Sequence, residues 1–174
     1  RSEEAHYGRA IAYYRLRQMD QLKKELKLLL EKSPNDTYFL ELQGQFEFES
    51  GKHKQAIHSF QQAKQYRKKN SLGLDLMMCH ALIEEKGDMN TVIKLLTPQL
   101  EKDPSQVFGW RLLGIAYGKM GKEEDASGCL AEAAFLTQNY RMAKSHALKA
   151  QKASKSSIRA RAESLLKQIA KEAS

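Results

Sequence analysis

Apolar residues recur along this chain at helical rather than strand spacing. Leu22, Leu26, Leu29 and Leu30 fall on one side of a 3.6-residue period, as do Ala56, Phe60 and Ala63, then Val92 and Leu96, then Ile158, Ala162, Leu165, Ile169 and Ala173. No stretch of strict alternation interrupts them, so the pattern predicts an all-α chain of about ten helices. Breakers divide the series. Ser33-Pro34-Asn35-Asp36 ends one helix and starts the next, and Pro104 and Gln138-Asn139 close two more. Ser50-Gly51-Lys52 and Lys86-Gly87-Asp88 mark tight junctions, whereas Arg17 to Asp20 must turn with ordinary residues.

The junctions repeat. Gly51, Gly87 and Gly121 stand 36 and 34 residues apart, and a period of this size signals an array of helical hairpins. Around the last of them the chain reads W-x-x-L-G-x-x-Y-x-x-x-G-x-x-x-x-A, with Trp110, Leu113, Gly114, Tyr117, Gly121 and Ala126. This resembles the tetratricopeptide repeat (TPR), in which bulky residues of one helix fit beside small residues of its antiparallel partner. Gly114 is expected to admit the paired helix closely, and Gly121 to take the left-handed conformation that closes a helix. Gly44 precedes Gly51 by seven residues, as Gly114 precedes Gly121. The expected fold is therefore a single TPR-type α-solenoid over residues 1–174, with hairpins at about 3–34, 36–68, 71–104 and 105–137 and extra helices over 139–174. The first hairpin is degenerate, as terminal units commonly are. After Gln138-Asn139 the alanines Ala143, Ala147 and Ala150 mark a helix only about 17 residues on, so helix 123–137 is expected to serve two neighbours. Ser154 to Ser157 offers capping hydroxyls for the last helix.

Stacked hairpins of this kind leave a trough lined by the first helix of each pair. The register puts Tyr7, Ile11, Tyr14 and Arg15 there from the first hairpin, and Tyr38, Glu41, Gln45 and Phe48 from the second. Leu74, Met77, Ala81 and Glu84 follow from the third, then Phe108, Arg111 and Ile115 from the fourth. Aromatic residues and arginine carry much of the energy at protein interfaces, so a bound polypeptide segment is one reading. Cover by the array's own curl or by another domain is the other. Co-chaperone grooves that clamp a C-terminal carboxylate use Lys and Asn where Tyr7, Ile11, Glu41 and Gln45 stand here, so that subtype is not expected.

Charge adds one asymmetry. The net charge is +8, yet residues 139–174 alone hold nine Lys and Arg against two acidic residues. A basic end can attract an acidic surface, or it can be a solvated lysine-rich face. With no aromatic residue beyond Tyr140 to stack on bases, nucleic acid is not expected as a partner. No window approaches about 18 uninterrupted apolar residues, and Arg1 opens the chain without a signal-type apolar core. Cys79 and Cys129 lie among apolar neighbours and are expected as buried thiols.

Catalytic patterns are missing. His6, His53, His58, His80 and His146 include no pair four residues apart, so the His-Glu-x-x-His of zinc hydrolases is absent, and no phosphate loop or serine elbow occurs. His80 and Glu84 share a helix face as an ordinary surface contact. No catalytic, cofactor or metal residue is expected in this chain.

The run Ala5-His6-Tyr7-Gly8-Arg9-Ala10, then Leu28-Leu29-Leu30, Ser33-Pro34-Asn35, Tyr38-Phe39-Leu40-Glu41-Leu42 and Glu49-Ser50-Gly51 resembles the C-terminal TPR region of BepA-like periplasmic zinc metalloproteases of the M48 peptidase family. Gly109-Trp110-Arg111-Leu112-Leu113, Ala131-Glu132-Ala133 and Arg159-Ala160-Arg161-Ala162-Glu163 continue the likeness in order. The resemblance implies a periplasmic protein whose zinc-binding peptidase domain lies outside these residues. It also implies protein partners: that domain, the outer-membrane protein assembly machinery, and client outer-membrane proteins. None of the family's catalytic residues has a counterpart here, and a stand-alone TPR adaptor is the alternative.

Overall fold

Helix ends in the left-handed conformation set the rhythm of the chain. The computed structural model describes residues 2–69 and 71–172, and among these it contains ten α-helices and no strand. They are α1 (Glu3–Arg15), α2 (Met19–Lys32), α3 (Thr37–Glu49), α4 (His53–Tyr66), α5 (Leu72–Glu84), α6 (Met89–Lys102), α7 (Val107–Lys119), α8 (Glu123–Leu136), α9 (Tyr140–Ala150) and α10 (Ser156–Glu172). Positive φ occurs at Arg17 (57°), Gly51 (72°), Lys86 (57°), Gly121 (72°) and Gln138 (59°), each two residues past the end of α1, α3, α5, α7 or α8.

The hydrogen bonds at these ends are those of the Schellman motif. After α3, Gly51 N–H donates to Phe48 C=O at 3.0 Å and Lys52 N–H to Glu47 C=O at 2.8 Å; the equivalent pairs close α1, α7 and α8. The junction after α5 corrects the sequence reading, which assigned the turn to Gly87. It falls on Lys86, one residue earlier, so Arg17, Lys86 and Gln138 hold with a side chain a conformation that favours glycine. Counted this way the first four junctions stand 34, 35 and 35 residues apart and the fifth follows after 17. The half-period step makes α9 turn back on α8 as a hairpin partner.

The helices gather into two compact units, one up to Glu85 and one from Lys86. In the first, α1 pairs with α2 and α3 with α4, α2 packs on α3, and α5 packs on α4 with a lesser contact to α3. Ala10, Leu22, Leu26, Leu29, Phe39 and Leu42 form a buried cluster between the first three helices. Asp36 caps α3 by accepting from Tyr38 N–H at 2.9 Å and Phe39 N–H at 3.1 Å. Gly44 faces the Phe60 ring so closely that a Cβ would stand 2.4 Å from a ring carbon. Between α4 and α5 the buried Asp75 is answered by Lys64 Nζ at 2.7 Å, a pairing that a buried carboxylate requires.

In the second unit α7 packs on α6 and pairs with α8. Trp110, 5% exposed, donates its indole N–H to Pro104 C=O at 2.9 Å. Pro98 lies inside α6 without ending it. Helix α8 packs against α7, α9 and α10, one neighbour more than the sequence reading gave it. Its alanines make this possible: Ala131 and Ala134 meet Ala143, Ala147 and Ala150 of α9 and Ala162, Leu165 and Ile169 of α10. Ala173, placed on that stripe by the sequence, lies outside the described residues.

The close approach expected at Gly114 occurs instead at Gly128, to which the sequence assigned no role. A Cβ on Gly114 would sit 3.4 Å from Cys129 Cβ and 3.5 Å from Leu130 Cδ2, ordinary contact, whereas one on Gly128 would sit 2.3 Å from Ile158 Cγ2. Close approach in this unit is thus needed where α10 meets α8, not where α7 does. Ser154 also departs from its expected capping role. It donates to Asp125 Oδ2 at 2.8 Å, while Lys155 N–H donates to Asp125 Oδ1 at 3.2 Å, so the buried Asp125 of α8 holds the approach to α10.

Cys79 and Cys129 are free and buried, as expected. Burial pushes the Cys79 thiol up to about 12, with Asp75 adding to it, and burial pushes Cys129 higher still. Both thiols should react with a disulfide reagent at pH 8 at least about a hundredfold more slowly than a free thiol, and at full rate in urea. Timed absorbance of the released thiolate reads this out. Gly44→Ala should destabilise the first unit by about 1–3 kcal/mol, because the Phe60 ring must move. Gly114→Ala should stay within about 1 kcal/mol of the parent, as a better helix former at ordinary contact distance. Urea midpoints of the two variants check the contrast.

Candidate protein-binding face

The solvent side of α1, α3 and α5 collects the residues that the register of the first unit singled out. On α3, Phe39, Leu40, Leu42 and Gly44 turn inward. That leaves Tyr38, Glu41, Gln45 and Phe48 on the opposite side, three or four residues apart. On α1, Tyr7, Ile11 and Tyr14 are half-buried and Arg15 is exposed. Helix α5 differs from expectation. Leu74 and Ala81, assigned to the trough, are 1% and 0% exposed, because α5 is buried around more than half of its circumference. Its open strip is Gly73, Met77, His80 and Glu84.

Three helices meet at one hollow. Tyr14 from α1, Gln45, Phe48 and Glu49 from α3, and Met77 and His80 from α5 surround a space of about 260 Å³, with Phe60 of α4 reaching its wall. The Phe48 ring lies 4.6 Å from the His80 ring and 5.1 Å from that of His53, both tilted. Gln45 Nε2 approaches Met77 Sδ at 3.1 Å. The polar groups at the edge are already answered within the unit. Tyr14 O–H donates to Glu49 Oε1 at 2.6 Å, and Arg17 pairs with the same carboxylate. Toward the other end of α3, Arg67 Nη1 donates to Glu41 Oε2 at 3.0 Å and its guanidinium lies 6.0 Å from the centre of the Tyr38 ring. The Tyr7 ring lies tilted against that of Phe39, their centres 5.3 Å apart. Its hydroxyl titrates above the ordinary tyrosine range, through burial first and then the negative charge of Glu41 and Asp36. With its charges paired, the hollow offers an incoming chain chiefly ring and thioether surface.

In the second unit Phe108 and Ile115 are each 44% exposed on α7, and Arg111 is exposed between them. These three share one helix face, since they are three and four residues apart.

Sequence reasoning missed His80 and Glu49 at the hollow. His80 could have been found, because it stands three residues beyond Met77. It also missed the larger hollow on another side of the first unit, about 500 Å³, floored by Leu26, Leu30 and Phe46 and edged by Lys23, Lys27 and Lys52. Nothing in the periodicity announces that space, which depends on how far apart α2 and α4 stand over α3. Among the described residues no group of three or more His, Cys, Asp or Glu side chains is placed to hold a metal ion.

No protein-family model matches the chain, and no curated relative does. Solved structures do match. MamA from Desulfovibrio magneticus RS-1, residues 41 to the end, is 15% identical with a TM-score of 0.73, over 97% of this chain and 93% of that one. The thermophilic TPR protein TTC0263 of Thermus thermophilus is 18% identical with a TM-score of 0.61, over 95% and 99%. YrrB, described as a TPR protein with an unusual peptide-binding site, is 13% identical with a TM-score of 0.67, over 97% and 89%. At these identities the likeness establishes the fold, an all-α TPR solenoid.

Proposed function

We propose that this chain is a protein-interaction scaffold that takes up extended polypeptide segments on the solvent side of α1, α3 and α5. The observation that carries the reading is the convergence of Tyr14, Gln45, Phe48 and Met77, from three separate helices, on one open apolar hollow. Aromatic and methionine surface held in place by packed helices suits an apolar side chain of a partner, and methionine adapts to differing shapes. A space of about 260 Å³ holds one or two such side chains rather than a folded domain. The fold supports the same reading: YrrB is described as having a peptide-binding site. The scaffold itself is assigned no chemistry.

In its finer form the proposal makes the chain the C-terminal TPR region of a BepA-like M48 peptidase in the periplasm. Zinc would then be held by the peptidase domain. The partners would be that domain, the outer-membrane protein assembly machinery and client outer-membrane proteins. The support is the ordered run of resembling segments from Ala5 to Glu163. A stand-alone adaptor is the alternative, and a His-Glu-x-x-His sequence encoded upstream of Arg1 separates the two.

Reduced, carboxymethylated α-lactalbumin serves as a permanently unfolded probe. Met77→Arg, which fills the hollow with a charge, should weaken its capture by about tenfold or more, roughly 1.4 kcal/mol. Leu28→Arg, on the outer side of α2, should leave capture unchanged. Fluorescence anisotropy of the labelled probe reads both, with circular dichroism melts confirming that the variants stay folded. Equal affinity in Met77→Arg and the parent would refute the assignment of the hollow.

A further inference from the structure

Of the nine Lys and Arg in residues 139–174, four lie on one ridge of α9, three hold α10 against its neighbours, and Lys167 and Lys171 lie exposed further along α10. Both arginines in the first half of α10 point into the second unit. Arg159 Nη1 donates to Ala153 C=O at 2.7 Å and Ser154 C=O at 2.9 Å. Arg161 Nε donates to Glu132 Oε1 at 2.9 Å, and its guanidinium lies 4.9 Å from the centre of the Trp110 ring. Lys155 reaches over the Tyr117 ring at 5.3 Å. These cations hold α10 in place.

Helix α9 presents the opposite arrangement. Ala143, Ala147 and Ala150 bury one side, and the other carries Arg141, Lys144, Lys149 and, just past its end, Lys152, all exposed. None of the four has an ion-pair partner among the described residues. Met142 (51% exposed) and Leu148 (49% exposed) stand among them. No acidic residue occurs from Tyr140 to Ala162, and Glu123 and Glu124 of α8 line a hollow together with Leu148, Lys149 and Lys152.

We infer that this ridge of α9 is a membrane-contact surface that docks on anionic lipid headgroups. Three features favour a bilayer over an acidic protein. The free cations are three lysines and one arginine, compact charges on long flexible stems that suit a fluid field of headgroups, whereas protein interfaces favour arginine and deplete lysine. The charges run along an outward helix ridge, which fits a plane rather than a protruding segment. Met142 and Leu148 interleave with the charges, as the apolar residues of interfacial helices do when they enter the headgroup boundary. The lysines supply the attraction, each adding to binding near an anionic surface, while the two apolar side chains limit how far added salt reverses it.

Sedimentation with extruded vesicles tests this on the 174-residue chain. Vesicles of phosphatidylcholine with about 30% phosphatidylglycerol should carry the protein down, and phosphatidylcholine alone should not. Lys149→Glu with Lys152→Glu should reduce binding by at least about tenfold, and Leu148→Ser should reduce it several-fold while leaving the melting temperature and α-lactalbumin capture at parent values. Equal sedimentation with both vesicle types, or none with either, overturns the inference. So does competition by polyglutamate that removes the protein from anionic vesicles completely with no effect of Leu148→Ser, since that result assigns the ridge to an acidic polypeptide. The vesicle result and the Met77→Arg result are independent, so either surface can fail alone.

Discussion

Apolar surface on these helices is covered only where a neighbouring helix comes close, and at the tightest contacts small residues permit the approach. At Gly44 the Phe60 ring occupies the place of a side chain, at Gly128 Ile158 does, and between α8 and α9 a run of alanines takes that part. A single hairpin has too little interior to be stable alone, and within each unit a hairpin is completed by a further helix, α5 on α4 in the first and α10 on α8 and α9 in the second. Where small residues are dense, as on α8, one helix serves three partners. Where they are not, the outer side of the helix stays open to solvent.

The candidate function follows from that remainder. Helices α3 and α5 bury much of their surface, and together with α1 they leave a strip of aromatic, thioether and amide side chains whose nearby charges are already paired. Rigid apolar surface lowers the ordering cost of binding, since the receptor side chains are held before the partner arrives. The second unit applies the same logic to charge. Cations that touch Trp110, Tyr117 or Glu132 stabilise the fold, and those on the outer ridge of α9 remain for a partner.

Much of this was legible in the residues. Helix number and the burial of Phe60, Val92 and Leu96 came from apolar spacing, which reports directly on which side of a helix faces inward, while the period came from the spaced junctions and Trp110 from the repeat motif. The turn at Lys86 was not legible, because glycine next door drew the assignment and a left-handed lysine leaves no mark in a sequence. Leu74 and Ala81 were misplaced for a related reason: spacing identifies a stripe, but it does not say how wide the buried side is when a helix has neighbours on two flanks. Gly128 was overlooked since its partner, Ile158, is 30 residues away and no local pattern joins them. Hollows are the least legible feature of all, being set by interhelical distances that no short motif encodes.

The central claim is that polypeptide segments occupy the hollow beside Met77, and methyl NMR addresses it without altering the protein. The chain has six methionines, including Met77 at the hollow and Met142 on α9. In protein labelled at the methionine methyl carbon, titration with unfolded α-lactalbumin should shift or broaden the Met77 resonance first and leave Met142 in place. Saturating binding with Met77 unmoved would contradict the account.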